Sequence, residues 1–286
     1  MNIEEVKNRI REIYHVDKLE FPVLEERPYI VRISAVYPVR TNDGIEYHIY
    51  KVGSGAVSNP TDWFVLNLLR AATDAKLGGK ETLASEEGRL WVVEIPELED
   101  YRKSLEKKID INIIPTRSGE IDFSREKGAI FYAPDKVKPV IITTKTGYDL
   151  IKQNTQRYGI ELYYSSHHDV YKERDIAQFL NENRPSIYVI FKDDQIEYSG
   201  IFKFLKRAFK INTISIEAGP KTANSLKDYT DELFLTVIPE NSKVELVGKD
   251  KDDSLLARES ELNNEYEKIS EYRESGFIFR RLRRKN

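Results

Sequence analysis

The chain has 286 residues, of which 45 are Lys or Arg, 48 are Asp or Glu and none is Cys, and this length suits one large α/β domain or two small ones. The net charge of −3 argues against nucleic-acid and anionic-membrane partners, and the missing cysteines exclude disulfides, thiol nucleophiles and cysteine metal sites. Because the sequence shows no secretory signal and no apolar run near the ~18 residues of a spanning helix, we expect a cytoplasmic protein, and its 33% charged residues with a single Met are typical of thermophiles.

The first predicted elements are a helix and a strand. Apolar residues recur at helical spacing over 3–14, which predicts an amphipathic helix within an N-terminal extension of residues 1–26. The β-branched and aromatic residues of 29–37 (YIVRISAVY) predict a strand. The Asn-Asp-Gly sequence at 42–44 lies between alternating segments and predicts a hairpin turn.

The next helix is predicted to begin at Asn59, because Asn as N-cap followed by Pro60 is a start signal. Its buried face is predicted to carry four residues at helical spacing, Trp63, Leu66, Leu69 and Ala72. Strands are predicted over 75–77 and 90–95, and a charged surface helix over 97–108.

From residue 109 onward, strands and helices alternate. Strands are predicted over 109–114, 140–142, 160–164, 187–191, 213–216 and 233–237, and helices over 147–158, 172–183 and 198–209. Such alternation implies right-handed crossovers and a mostly parallel sheet. The charged stretch 255–274 is predicted to be partly mobile, and a last strand is predicted over 276–283.

Two strands end in polar residues at the position where ligands of open α/β sheets bind. Thr143 and Thr144 follow the strand over 140–142, and their hydroxyls suit a phosphate such as the adenosine 2′-phosphate or, equally well, a helix cap. The strand over 213–216 breaks at Ala218-Gly219, where backbone N–H groups before a helix form a seat for a phosphate or dinucleotide. Many turns of this kind are only connectors.

Two further clusters carry no predicted site. Adjacent residues of a strand point to opposite faces, so His167-His168-Asp169 predicts no metal site. The arginines at the end of the chain predict a solvated sheet edge rather than a nucleic-acid site, and they are Arg280, Arg281, Arg283 and Arg284.

Two segments resemble one enzyme family. EAGPKTANSLKDYTDELFLTVIP, at 217–239, resembles the closing βαβ segment of the riboflavin-biosynthesis reductase domain, found in bifunctional deaminase-reductases and in stand-alone archaeal relatives. LRAATDAKLGGKETL, at 69–83, resembles the family's LRA-x-ADA-hydrophobic-x-G-x-x-T segment. The resemblance implies an α/β, dihydrofolate-reductase-like fold, with a central mostly parallel sheet flanked by helices and an antiparallel C-terminal strand. It also implies a single domain over 27–286, with an insertion near 170–191.

The same resemblance implies an NADPH-dependent oxidoreductase that forms a homodimer. It would transfer hydride to the ribosyl carbon of a phosphoribosylamino-pyrimidine, a small-molecule intermediate of riboflavin biosynthesis. Gly79 and Thr82 match the turn that wraps the cofactor pyrophosphate, and Lys80 is similar to the basic residue that approaches the 2′-phosphate in dihydrofolate reductases. The resemblance names no catalytic side chain, because the nicotinamide performs the chemistry.

Further site residues follow from the resemblance. Glu217, with Ala218 and Gly219, matches the family's acidic and small residues and is expected to orient the cofactor or the neighbouring backbone. A carboxylate at a helix N-terminus is the alternative interpretation of Glu217. Ser34 and Asp43 are candidates for substrate binding, although the segment 37–42 lies between them.

The sequence also departs from the family. Glu81 places a carboxylate in the phosphate turn, and the segment 83–87 lacks the arginines that usually follow. Two other functions therefore stay open. One is a non-catalytic or repurposed homologue that serves as a nucleotide-binding or assembly module, and the other is a reductase of another pterin- or pyrimidine-like substrate.

Overall fold

The computed structural model describes residues 2–50, 59–85, 89–107, 109–166, 172–193, 195–246 and 254–285. Its helices are α1 (Ile3–Tyr14), α2 (Pro60–Ala72), α3 (Lys80–Ser85), α4 (Pro96–Ser104), α5 (Lys145–Tyr158), α6 (Glu173–Asn181), α7 (Tyr198–Ala208), α8 (Pro220–Ser225) and α9 (Glu259–Glu265). Its strands are β1 (Tyr29–Thr41), β2 (Gly44–Ile49), β3 (Ala75–Leu77), β4 (Asp110–Pro115), β5 (Val137–Thr144), β6 (Glu161–Ser166), β7 (Ser186–Lys192), β8 (Thr213–Ile216), β9 (Glu232–Val237), β10 (Leu255–Arg258), β11 (Tyr266–Glu274) and β12 (Phe277–Arg284).

All twelve strands of the described residues join one sheet in the order β11-β12-β9-β1-β8-β3-β4-β5-β7-β6, and β2 and β10 extend it beside β1. The strands from β9 to β6 pair in parallel. β12 pairs antiparallel to β9, and β11 pairs antiparallel to β12. The predicted fold class is therefore confirmed: a mostly parallel α/β sheet with antiparallel C-terminal strands.

Helices cover both faces of this sheet. Neighbouring residues of β1 point to opposite sides, so Val31 packs with α1, α2 and α4 while Ile30 packs with α6, α7 and α8. Burying one such aliphatic side chain contributes about 1.5–3 kcal/mol. The N-terminal helix thus shares a core with the sheet, whereas the domain boundary at residue 26 and the insertion near 170–191 stay predictions.

Local sequence signals explain where several elements begin. The Asn59 side chain accepts a hydrogen bond from Thr61 N at 2.7 Å and Pro60 occupies the first turn, which confirms the predicted start of α2. In α1, Asn2 and Glu5 form a capping box. The hairpin at residues 42–44 is also confirmed, because Thr41 and Gly44 pair across it.

Three predictions about local structure are wrong. Residues 90–95 form no strand, because side chains of α2 take up their backbone hydrogen bonds: Glu94 N donates to Asn67 Oδ1 at 2.6 Å, and the Val92 carbonyl accepts from Arg70 Nη1 at 3.1 Å. Leu69 and Ala72 of α2 are buried as predicted, but Trp63 is 39% exposed and its neighbour Phe64 is buried instead. The charged segment 255–274 forms β10, α9 and β11, since both strands pair within the sheet.

The C-terminal arginines do not form a solvated edge. β12 lies between β9 and β11, inside the sheet. Arg281 is buried and pairs with Glu232 at 3.1 Å, and Arg280 pairs with Glu271 at 2.9 Å. These ion pairs neutralise the positive charges of Arg280 and Arg281, for which the sequence predicted no partner. None of the helices in the described ranges is long and apolar enough to cross a membrane.

Candidate active site

Two glycine-bearing corners meet at the carboxyl edge of the sheet. β3 and β8 are parallel neighbours, and the turns that follow them begin side by side. The Glu217 N–H donates to the Leu77 carbonyl at 2.8 Å. A Cβ on Gly79 would lie 3.2 Å from Thr222 Oγ1, so the Gly79 backbone lies close to the Thr222 side chain of the second corner. The strand order therefore joins the two segments on which the family resemblance rests.

A cleft of about 640 Å³ opens along this edge. It lies at the carboxyl ends of β3, β4, β5, β7 and β8, where ligands of open α/β sheets bind. Most of its lining residues have polar or charged side chains, and they include Lys80, Glu81, Thr116, Arg117, Ser118, Thr144, Thr146, Asp193, Tyr198, Lys221, Thr222 and Ser225.

Three cations give the cleft its electrostatic character. Lys80 lies 3.5 Å from both Ser118 Oγ and Glu120 Oε2. Arg117 and Lys221 also line the cleft, and neither side chain has a polar partner within the described residues. Glu81 adds a carboxylate to the same wall. Phosphate groups suit such a cleft because free guanidinium and ammonium groups there need not break existing ion pairs.

The predicted phosphate turn, residues 79–82, lies beside the cleft. Lys80 lines it directly, and the Thr82 hydroxyl lies 3.8 Å from the Cβ position of Gly79. The Glu81 carboxylate lies 3.6 Å from the same position. Gly78 packs against the buried Trp91 ring, which a Cβ there would overlap. The roles of Gly79, Lys80 and Thr82 toward a cofactor stay predictions.

The two threonines at the end of β5 have different surroundings. Thr143 is fully buried and lies against Gly147, and its Oγ1 has no hydrogen-bond partner among the residues that the structure describes. Thr144 lines the cleft, where its Oγ1 donates to the Arg117 carbonyl at 2.9 Å and accepts from Gly147 N at 3.2 Å. Thr144 thus caps α5, as the alternative interpretation proposed, while it also faces the cleft.

The corner after β8 is fixed by an ion pair. Arg70 Nε and Nη2 lie 2.9 and 2.8 Å from Glu217 Oε2. This contact anchors the Glu217 side chain to α2, while the role expected for Glu217 toward the cofactor or the neighbouring backbone stays a prediction. Ala218 is partly buried, whereas Gly219 is exposed and has open space around it.

The two substrate-binding candidates lie far apart. Ser34 is buried on β1 and accepts a hydrogen bond from Arg32 Nε at 3.2 Å. Asp43 is exposed in the hairpin at the other end of β1 and does not line the cleft. The intervening segment 37–42 is a continuation of the strand, which carries Asp43 away from the sheet edge.

Residues missed by sequence reasoning also line the cleft. Lys221 and Thr222 come just after Gly219-Pro220, so the sequence already placed them beside the predicted phosphate seat. Asp193 and Tyr198 follow β7, and the rule applied to β5 also predicts polar residues at that strand end. Burial raises the pKa of Tyr198, so its hydroxyl stays protonated at neutral pH.

Buried charges hold β3 in place beside β4. Lys76 of β3 donates to Asp110 of β4, and Asp110 also pairs with Arg102 of α4 at 2.6 Å. Burial lowers the pKa of Lys76 to about 8. Ala75 and Leu77, the neighbours of Lys76 in β3, face the core on the side of α6 to α8. Lys76 therefore lies on the opposite face of the sheet. We assign this cluster a structural role.

No cluster of three or more metal-binding side chains occurs in the described ranges, and His167-His168-Asp169 lies outside them. Searches with the sequence found no matching protein-family model and no matching curated protein. Comparison of the folds gave a clear result. A riboflavin biosynthesis reductase from Saccharomyces cerevisiae has a TM-score of 0.53 at 14% identity, over 99% of this chain and 100% of that one. This chain has the fold of the riboflavin-biosynthesis reductases.

Two other solved structures agree with this reductase fold. A pyrimidine reductase-like protein from Corynebacterium diphtheriae has a TM-score of 0.55 at 18% identity, over the whole of both chains. A bifunctional diaminohydroxyphosphoribosylaminopyrimidine deaminase and 5-amino-6-(5-phosphoribosylamino)uracil reductase from Thermotoga maritima has a TM-score of 0.53 at 14% identity. The match covers 91% of this chain but 57% of the Thermotoga chain.

Proposed function

We propose that this chain is an NADPH-dependent reductase in riboflavin biosynthesis. Its substrate is a phosphoribosylamino-pyrimidine, and the hydride goes to the ribosyl carbon. The observation that carries this proposal is the junction of the Gly79 and Gly219 corners, beside a cleft with three cations. The reductase fold supports the same conclusion.

The residues of the cleft fit a dinucleotide. Gly79 lets the two corners approach, and the open space around Gly219 leaves room for a pyrophosphate beside the backbone. Lys80, Arg117 and Lys221 supply positive charge for the phosphates. When bound, the nicotinamide supplies the hydride. The protein contributes binding and orientation, which suffice because holding two reactants together removes much of the entropic barrier.

A second candidate function is a nucleotide-binding module without reductase activity. Glu81 favours it, because a carboxylate in the wall of the cleft repels phosphate. Lys80, Arg117 and Lys221 outnumber the two carboxylates that line the cleft, Glu81 and Asp193, so we place the reductase first. A reductase of another pterin- or pyrimidine-like substrate is the third alternative, and the homodimer and thermophilic origin stay predictions.

The first test is a titration with NADPH. Trp91 packs against Gly78 beside the cleft, so its fluorescence should be quenched on binding. A Trp63→Phe variant removes the signal of the exposed tryptophan. The melting temperature should rise as well, because a ligand selective for the folded state stabilises it.

Activity is then followed as NADPH oxidation with the phosphoribosylamino-pyrimidine. Turnover supports the reductase. Binding without turnover of this or any related pyrimidine or pterin favours the nucleotide-binding module. Absence of any response to millimolar NADPH rejects the reductase.

A further inference from the structure

Arg32 is a buried arginine without an ionic partner. It lies on β1 with an exposure of 4%. Its Nε lies 3.2 Å from Ser34 Oγ, and both terminal nitrogens lie 3.5 Å from Asn224 Oδ1, at the outer limit of a hydrogen bond. No carboxylate of the described residues forms a salt bridge with it. The guanidinium therefore lacks the partner that buried charges normally have.

Arg32 differs in this respect from the other buried arginines of the described residues. Each of the other buried arginines in the described ranges has a carboxylate partner: Arg70 has Glu217 at 2.8 Å, Arg102 has Asp110 at 2.6 Å and Arg281 has Glu232 at 3.1 Å. Burial lowers the pKa of Arg32 to about 10, an effect that the Tyr266 hydroxyl opposes. The side chain is thus still protonated at neutral pH. Among the residues that the structure describes, no carboxylate neutralises this buried positive charge.

The position of Arg32 connects it with the cleft. Arg32 pairs with Ile216, the last residue of β8, so its strand runs beside the corner that carries Gly219. Asn224 belongs to α8, and other residues of the same helix line the cleft, namely Lys221, Thr222 and Ser225. Arg32, Ser34 and Asn224 do not themselves line the cleft, so a ligand reaches Arg32 only by extending from the cleft past α8 on the side of Asn224.

The groups around Arg32 favour an oxyanion with several oxygens. A guanidinium presents parallel N–H donors that match two phosphate oxygens at once. The Ser34 hydroxyl can donate, and the exposed Asn224 amide can turn to present its Nδ2. The site thus combines a fixed charge with two adjustable donors.

We propose that Arg32 binds the phosphate monoester of the substrate, with Ser34 and Asn224 as further donors. This inference rests on the proposed function, because the substrate named there carries a phosphoribosyl group. It assigns Ser34 a specific partner on the ligand. It also supplies a phosphate-binding cation that the segment after Thr82 lacks.

The test uses ribose 5-phosphate as a probe and ribose as its uncharged counterpart. Binding is measured by calorimetry in a zwitterionic buffer without polyvalent anions, for the wild type, Arg32→Met and Arg281→Met. Arg281 is the matched control, a buried arginine that is already paired. We expect the wild type to bind ribose 5-phosphate but not ribose. Arg32→Met should weaken binding about 30-fold or more, and Arg281→Met less than about threefold.

Equal affinity of the wild type and Arg32→Met overturns the proposal, as does absence of binding to the wild type. The unliganded proteins give a second readout. Arg281→Met removes one of the two arginine partners of the buried Glu232, which keeps Arg283 at 2.8 Å, and should lower the melting temperature, whereas Arg32→Met leaves no carboxylate behind and should not. A larger loss of melting temperature for Arg32→Met than for Arg281→Met contradicts the proposal. If Arg32→Met does not fold, Arg32→Lys is measured instead. This variant keeps the positive charge but loses the bidentate contact, so it should bind ribose 5-phosphate about tenfold more weakly than the wild type. Unchanged affinity of Arg32→Lys overturns the proposal.

An NADPH titration separates this inference from the proposed function. Arg32→Met should bind NADPH within about threefold of the wild type, since its partner is the substrate. Loss of NADPH binding in Arg32→Met alone assigns Arg32 to the cofactor and overturns the inference. Failure of the wild type to bind NADPH rejects the reductase instead, and the ribose 5-phosphate result then decides whether Arg32 binds a phosphate.

Discussion

Arg70 places two nitrogens, Nε and Nη2, at 2.9 and 2.8 Å from a single carboxylate oxygen of Glu217. Both side chains are buried, and the pair ties α2 to the carboxyl end of β8. The acidic residue of the glycine corner therefore has a structural partner within the chain.

We predict that Glu217→Gln lowers the free energy of unfolding by about 3 kcal/mol, because it leaves the buried Arg70 without its main counter-charge. Glu94→Gln is the matched control. Glu94 also contacts Arg70, at 3.3 Å, but it is 39% exposed, so its loss should cost less than about 1 kcal/mol. Urea unfolding of both variants measures the difference. Equal costs would assign Glu217 a role other than the structural one.

The threonine pair at the end of β5 provides a second test. The buried Thr143 hydroxyl has no partner among the described residues, so Thr143→Val should keep or raise the free energy of unfolding, by up to about 1 kcal/mol. Thr144→Val removes the cap of α5 and should lower it by about 1 kcal/mol. We also expect Thr144→Val alone to weaken NADPH binding, because only Thr144 lines the cleft. Weaker NADPH binding in Thr143→Val would contradict this assignment.

Arg117 allows a test of which nucleotide the cleft accepts. It is exposed in the cleft, and its side chain has no polar partner in the described part of the chain. Arg117→Met should therefore change the free energy of unfolding by less than about 0.5 kcal/mol. If Arg117 binds the 2′-phosphate, the variant should bind NADPH about tenfold more weakly and NADH unchanged.

Arg125→Met is the control for this prediction. Arg125 stacks on the Tyr132 ring at 4.5 Å and does not line the cleft, so its loss should leave both affinities unchanged. An equal loss of NADPH and NADH binding in Arg117→Met would place Arg117 at the pyrophosphate instead.

The ion pairs of β11 and β12 predict a pH dependence. Burial of Glu271 opposes ionisation, but hydrogen bonds from Arg273 and Arg280 prevail and lower its pKa to about 2. The folded-state pKa lies below the unfolded value of 4.5, so the carboxylate stabilises the fold above pH 4.5 and this contribution is lost as the pH falls toward 2.

Glu271→Gln should lower the free energy of unfolding at pH 7 by about 1 kcal/mol, a value reduced for solvent screening. At pH 3 the difference from the wild type should shrink to less than half. Glu267→Gln, an exposed residue of the same strand without an ion pair in the described residues, should show no such change. Denaturant unfolding at the two pH values checks this, and a constant difference would exclude the ionisation of Glu271 as its cause.

Most of the helices and strands, and their order, follow from local patterns in the amino-acid sequence. Helix starts such as Asn59-Pro60 depend on a few neighbouring residues, and alternating apolar patterns define strands locally. The resemblance at 69–83 and 217–239 also predicted the fold that the structural comparison supports. Local patterns failed where burial overrides them. Residues 90–95 look like a strand, yet they leave the sheet and place Trp91 under Gly78.

Which polar residues come together depends on the packing of the whole chain. The adjacency of Gly79 and Thr222 depends on the pairing of β3 with β8, which are far apart in the chain. The unpaired state of Arg32 and the paired state of Arg281 likewise depend on which carboxylates the sheet order brings near. A sequence specifies the charge of each side chain locally. Its neutralisation is a property of the whole fold, because Coulomb energy depends on distances between residues that only the packed chain defines.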